Sequence, residues 1–201
     1  MQPKLHALAF AALAALAVPA LAQDQEQAPA PETPDAPATA EAEAAPKDPQ
    51  TGDAYVAGEH GDWQVRCVKA EEEPDPCQLY QVLTDQKDNA VAEIVIFPVP
   101  EGQKAAAAAV VTTPLETLLT EEITIVIDEK EGRRYPFSFC TPQGCVAQIG
   151  LTKEDLDTYK KGSEAKLRIV PARAPDQNVI LTASLKGFTA GFQALLDDAK
   201  P

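Results

Sequence analysis

Positive charge, histidine and aromatic side chains are all scarce in this 201-residue chain. Its 17 Lys and Arg face 31 Asp and Glu, a formal net charge of −14. Binding to phosphate needs a clustered positive field, so this balance argues against nucleic acid and against an anionic membrane surface as partners. The two basic pairs, Arg133-Arg134 and Lys160-Lys161, read as solvated charge rather than anion sites. A Ser or Cys nucleophile needs a base beside it. Only His60 lies beyond the N-terminal leader, and Ser138, Ser163 and Ser184 stand in no G-x-S-x-G setting. The phosphate loops G-x-x-x-x-G-K-[ST] and G-x-G-x-x-G are missing, as is the redox motif C-x-x-C. The acids fall in turns and loops, with no spacing that singles out a pair for acid–base work. The expectation is a protein that is not an enzyme, with no catalytic residues, no cofactor and no metal.

Long apolar runs are missing too, where a membrane-spanning helix needs roughly 20 residues. The one candidate, Leu8 to Val18, follows a short basic start at Lys4 and His6 and precedes Ala20-Leu21-Ala22. That is the pattern of a signal peptide over 1–22, with a mature chain beginning at Gln23 and no lipobox cysteine after the apolar run. Residues 23–53 are Ala, Pro, Glu and Asp, with eight acids against Lys47 alone for a net −7. Such a stretch buries too little apolar surface to offset its ordering entropy and reads as a disordered acidic linker. The remaining 148 residues, 54–201, carry 15 basic and 23 acidic groups, net −8, and suit one domain with one core.

What is present is a set of short β-strands and four cysteines. Cys67, Cys77, Cys140 and Cys145 all lie in the folded part of an exported chain, where an even number implies a disulfide framework with three possible connectivities. Pairing Cys67 with Cys77 and Cys140 with Cys145 is preferred, because each pair flanks a polar turn. A zinc site fits poorly with the spacings C-x9-C and C-x4-C and one histidine.

The chain centres on 133–147, RRYPFSFCTPQGCVA, where Tyr135, Phe137 and Phe139 alternate with Pro136 and Ser138. This predicts an aromatic-faced strand, a tight turn at Thr141-Pro142-Gln143-Gly144 and a return strand over 146–150. Residues 55–60 lead into a turn at Gly61-Asp62, and the first strand begins at Trp63, with Val65 and Cys67 on the same face. Further strands are expected over 78–84, 91–99, 107–113, 123–127, 165–170 and 179–185. Glu71 to Pro76 is too charged and Pro-broken to be anything but a loop.

Two short helices are expected. One covers 153–161 with Thr152 as N-cap, acids in its first turn and Lys160-Lys161 at its end. The other is capped by Thr189 and runs through Leu196, with Phe188, Phe192, Leu195 and Leu196 on one face. The fold class is therefore all-β, mostly antiparallel, a sandwich or barrel-like arrangement with two short helices. Trp63 reads as core, with a carbohydrate platform at Trp63 or Tyr135 as the weaker alternative.

Gly61-Asp62-Trp63-Gln64-Val65-Arg66-Cys67, Cys77, Tyr135-Pro136-Phe137, Cys140-x-Pro142-x-Gly144-Cys145 and Ser184-Leu185-Lys186-Gly187-Phe188 resemble the invasion-associated locus B family of exported alphaproteobacterial proteins. The resemblance runs from about Gly61 to Leu196. It implies a periplasmic or envelope-associated β-sandwich, named for a role in host-cell invasion, with no established catalytic residues to carry over. The expected function is an exported, non-enzymatic interaction module of the periplasm, outer membrane or cell surface, meeting an unknown envelope or host-surface partner. The alternatives are a periplasmic thiol–disulfide protein or a carbohydrate-binding protein.

Overall fold

Alternating sequence becomes alternating burial. In β2 (Trp63–Val68) the side chains of Trp63, Val65 and Cys67 are buried while Gln64 and Arg66 are half-buried. In β5 (Ala107–Thr113) Ala107, Ala109, Val111 and Thr113 point inward. The alanine run before it has high helix propensity, yet the strand forms because β4 (Ala90–Pro98) and β9 (Gly144–Leu151) flank it on both edges. This is a computed structural model that describes residues 48–198 apart from residue 101. The expected signal peptide and residues 23–47 of the expected linker lie outside the described residues.

The strands form one curled sheet in which every pair is antiparallel. Besides those named, they are β1 (Ala54–His60), β3 (Cys77–Thr84), β6 (Ile123–Ile127), β7 (Arg133–Tyr135), β8 (Phe139–Thr141), β10 (Glu164–Ile169) and β11 (Val179–Ser184). The order is β7-β6-β10-β11-β3-β4-β5-β9-β8, and β2 with β1 branches from β3. The branch arises because β3 pairs with β2 through Cys77–Tyr80 and with β11 at Thr84. The two ends of this path, β7 and β8, are joined by residues 136–138 alone. Four Cα steps of 3.80 Å reach at most about 15 Å, so the sheet must curl until its ends nearly meet. Of the two architectures expected, this is the barrel-like one.

Three local expectations need correction. The lead-in at 55–60 is a strand, β1, paired to β2 with a bulge between Val56 and Gly58. The aromatic strand does not exist as one element: Tyr135 ends β7 and Phe139 begins β8, at opposite ends of the sheet path. Pro136 has no N–H for a ladder bond, which favours a break there. The second helix, α2 (Phe188–Asp198), starts one residue before the expected cap.

The first helix, α1 (Lys153–Lys161), has the expected bounds and cap. Thr152 accepts from the backbone of Asp155, and Asp155 reaches back to the backbone of Thr152, closing a capping box. α2 lays Phe188, Phe192 and Leu195 into the core. Phe188 meets Trp63 edge-on with centroids 5.3 Å apart, Tyr159 at 5.5 Å and Phe192 at 5.9 Å. α2 thus covers the core over β1, β2 and β3, and α1 packs against α2 and β9.

Candidate functional site

The β1–β2 turn and the β11–α2 turn cross each other at backbone contact. Gly61 and Gly187 make the approach possible. Gly187 has φ +87°, and a Cβ there would stand 2.0 Å from the carbonyl oxygen of His60. Gly61 has φ +59°, and a Cβ there would stand 2.5 Å from the oxygen of Lys186. Any other residue would be strained at both positions and would force the two turns apart. The crossing is stitched by polar groups. Asp62 N–H donates to Lys186 O at 3.1 Å, and Trp63 Nε1–H donates to Ser184 O at 2.8 Å. Gln81 Nε2 donates to Asp62 O and Ser184 O at 2.9 and 3.0 Å. Ser184 Oγ–H donates to Asp62 Oδ2 at 2.6 Å. Trp63 is 0 % exposed and wedged beneath this junction. It cannot serve as a carbohydrate platform.

Both cysteine pairs are directly opposed across antiparallel strands, Cys67 to Cys77 between β2 and β3 and Cys140 to Cys145 between β8 and β9. Their sulfurs stand at bonding distance, 1.96 and 2.05 Å. Beside the first pair, Asp75 collects the Tyr55 hydroxyl at 2.6 Å, the Ala70 N–H at 2.9 Å and Lys69 Nζ at 3.3 Å. The Tyr55 bond, then the Ala70 N–H, holds the Asp75 carboxyl below its ordinary range. The same bond to Asp75, then burial, pushes the Tyr55 phenol up to about 12. This network pins the acidic 70–76 loop. The chain is already anchored before β1: Gly52 N–H donates to Lys69 O and Lys69 N–H to Asp53 O, at 2.8 and 2.9 Å.

At the β7 end of the sheet path, a cleft of about 400 Å3 opens between β6, β7 and α1. Ile127, Lys130, Arg133, Tyr135, Asp155 and Tyr159 line it. Arg133 pairs with Asp155, whose other oxygen takes the Thr152 N–H and hydroxyl at 2.9 and 2.8 Å. The carboxylate is thus occupied by a helix cap and an ion pair. Burial pushes the Tyr159 phenol far up, and burial followed by the Asp155 charge raises Tyr135. Both phenols are protonated at neutral pH, so the cleft offers hydroxyls, the cations Lys130 and Arg133, and the exposed carboxylate of Glu131 for contact.

Of the serines considered in the sequence, Ser184 is engaged through its hydroxyl, whereas Ser138 and Ser163 serve the scaffold through their backbone N–H groups. Ser163 N–H donates to Asp128 at 2.9 Å, Ser138 N–H to Val146 O at 2.7 Å, and Ser184 holds the crossing. His60 ends β1 at that crossing. The crossing was missed because a backbone approach leaves only two glycines as its trace. Among the described residues, no three His, Cys, Asp or Glu converge in a way that could hold a metal ion.

Residues 63–196 match the family described as the invasion associated locus B (IalB) protein. The chain belongs to the invasion associated locus B family. It is 27% identical over 135 residues to invasion protein B homologs of Brucella abortus strain 2308 and of Brucella abortus biovar 1 strain 9-941. That match spans 67% of this chain and 75% of each relative. The crystal structure of invasion associated protein B from Bartonella henselae shares the fold, with TM-score 0.59 and 20% identity, covering 70% of this chain and 95% of that one. The family match runs from Trp63 to Leu196, taking in Ser184, Gly187 and both cysteine pairs. β1 lies outside it. Among the described residues no helix is long and apolar enough to cross a membrane.

Proposed function

We propose that this family member is an exported, non-enzymatic interaction module of the bacterial cell envelope. In this reading the signal peptide over 1–22 is removed, the acidic linker expected over 23–53 is a spacer as far as the anchor at Gly52 and Asp53, and 54–201 is the binding domain. Its partner is an envelope or host-surface component. One observation carries the reading. Two polar side chains of the family-like stretches, Asp62 and Ser184, hold the crossing of two turns, while Arg133 and Asp155, elsewhere in the domain, are engaged in an ion pair and a helix cap. Residues that mark the family therefore specify a scaffold rather than a reacting centre. The opposed cysteines support export, because disulfides persist in oxidising compartments. Relatives named as invasion proteins support contact with other surfaces.

The mass of the protein recovered from its host, alkylated before lysis, tests the export half. The expected result is a chain starting at Gln23 with all four cysteines unlabelled. A chain retaining Met1 with alkylated thiols would overturn it. Turnover of a substrate by the purified protein, abolished by a single substitution, would overturn the non-enzymatic half.

A further inference from the structure

We propose that the groove between the 98–106 loop and the two helices docks an acidic, proline-containing peptide with carboxylates three residues apart. This rests on the interaction-module reading and names the surface and the chemistry of the partner. The groove encloses about 930 Å3. One wall is the segment that leaves β4 through Pro98, Val99 and Pro100. It returns by way of Lys104 to Ala106, whose N–H donates to Leu151 O at 2.7 Å. Leu156 of α1 with Phe192 and Leu196 of α2 provides the apolar floor.

Charge sets this groove apart from the rest of the molecule. The described lining includes Lys104, Lys153 and Lys160 against Glu154, and counting Glu101 of the same loop from the sequence leaves a local net of +1 in a chain of formal charge −14. Elsewhere the excess of acid repels acidic segments; here a cationic rim attracts them. The three lysines are exposed, and Lys160 Nζ stands 5.3 Å from the centre of the Phe192 ring, at the edge of the apolar floor.

Spacing selects the ligand. Lys153, Leu156 and Lys160 follow one another at i, i+3 and i+7, so they share one face of α1. Seven residues at a rise of 1.5 Å separate the two lysines by about 10 Å along the axis. A polyproline II strand repeats every three residues and rises about 3.1 Å per residue. Acids at i and i+3 of such a strand therefore lie on one side, about 9 Å apart, and the two residues between them point about 120° to either side, so that one of them can turn to the floor. A single-headed anionic lipid would satisfy only one of the two cations. A preformed polyproline II strand also loses little entropy on docking.

The test is fluorescence anisotropy of the labelled peptide Ala-Pro-Glu-Ala-Pro-Glu-Ala-Pro with the mature protein. The expected result is saturable binding, weakened at least about fivefold by Lys153→Gln with Lys160→Gln and to the same degree by Gln in place of both peptide acids. The exposed Lys87→Gln, on the β3–β4 turn, leaves binding unchanged. Absence of saturable binding, or equal binding by the double variant, overturns the assignment. So does complete displacement by phosphatidylglycerol vesicles at matched anion concentration, which would transfer the groove to a lipid. Failure here leaves the processed mass and thiol state untouched, so it is distinguishable from failure of the export reading.

Discussion

Replacing Gly187 by alanine tests the crossing of the two turns. Gly187 (φ +87°) has a near twin in Gly102 (φ +89°), where an added Cβ meets nothing within 4 Å. Alanine at Gly102 incurs only the left-handed backbone penalty, roughly 1–2 kcal/mol. Alanine at Gly187 incurs that penalty and a Cβ 2.0 Å from His60 O, where real Cβ atoms keep at least 3.0 Å. The two turns must part by about 1 Å, a shift that works against the bonds Asp62 N–Lys186 O, Trp63 Nε1–Ser184 O and Gln81 Nε2–Ser184 O. At about 1 kcal/mol net per bond, the total is about 4 kcal/mol or more, a large part of the 5–15 kcal/mol that holds an ordinary domain. Urea denaturation followed by fluorescence measures it, and the sole tryptophan, Trp63, reports from the crossing itself. A Gly187→Ala variant within about 0.5 kcal/mol of Gly102→Ala would refute the argument, since only the surroundings of the Cβ distinguish the two sites.

Further outcomes follow from the geometry. Replacing both cysteines of a pair by serine should cost on the order of 2 kcal/mol for Cys140–Cys145 and about 3 for Cys67–Cys77, because the second closes the longer loop. Both pairs should also resist mild dithiol in the folded state, and rapid reduction of Cys140–Cys145 would favour thiol exchange instead. Tyr55 has a folded pKa raised to about 12 from 10.0, so the stability it contributes is complete below pH 10 and lost as pH rises towards 12. Tyr55→Phe should flatten that alkaline decline in urea midpoints. At the acid end Asp75, whose carboxyl is held low, contributes stability above about pH 3.8 that is lost as pH falls through its folded pKa. Asp75→Asn should remove that share of the acid sensitivity. Asp155→Ala should cost about 2–3 kcal/mol by removing a helix cap and the partner of Arg133, against about 1 for Thr152→Ala. Equal losses for the two would show that the Arg133 pair contributes nothing.

The sequence disclosed those elements whose signals are local. α1 was legible because Thr152, the acids of its first turn and the lysines of its last are all contiguous. The strands from Trp63 to Ser184 were legible wherever one face is buried, as in β5 with its alternating Ala, Val and Thr. β1 was not, because it is an edge strand with no buried face: Val56 is 49 % exposed, and register with β2 alone makes the segment a strand. The alternation of Tyr135, Phe137 and Phe139 misled for the opposite reason. It satisfies the period-two pattern, but Pro136 interrupts the ladder and Phe139 is 49 % exposed, so the aromatics do not share one buried face. The crossing and the groove were illegible because each joins segments far apart in the chain. The crossing brings Asp62 to Ser184, and the groove brings Lys104 to Phe192.

Residence in the envelope is the central claim, and protease treatment of host cells tests it most directly. Antibody against the folded domain would follow the loss of the linker as a band shift, first in intact cells and then after opening the outer membrane alone, beside a cytoplasmic marker. Cleavage is expected no later than the second step while the marker survives, with cleavage at the first step assigning the domain to the cell surface. Protection until the inner membrane is lysed, with the marker lost at the same moment, would place the protein in the cytoplasm and contradict that claim.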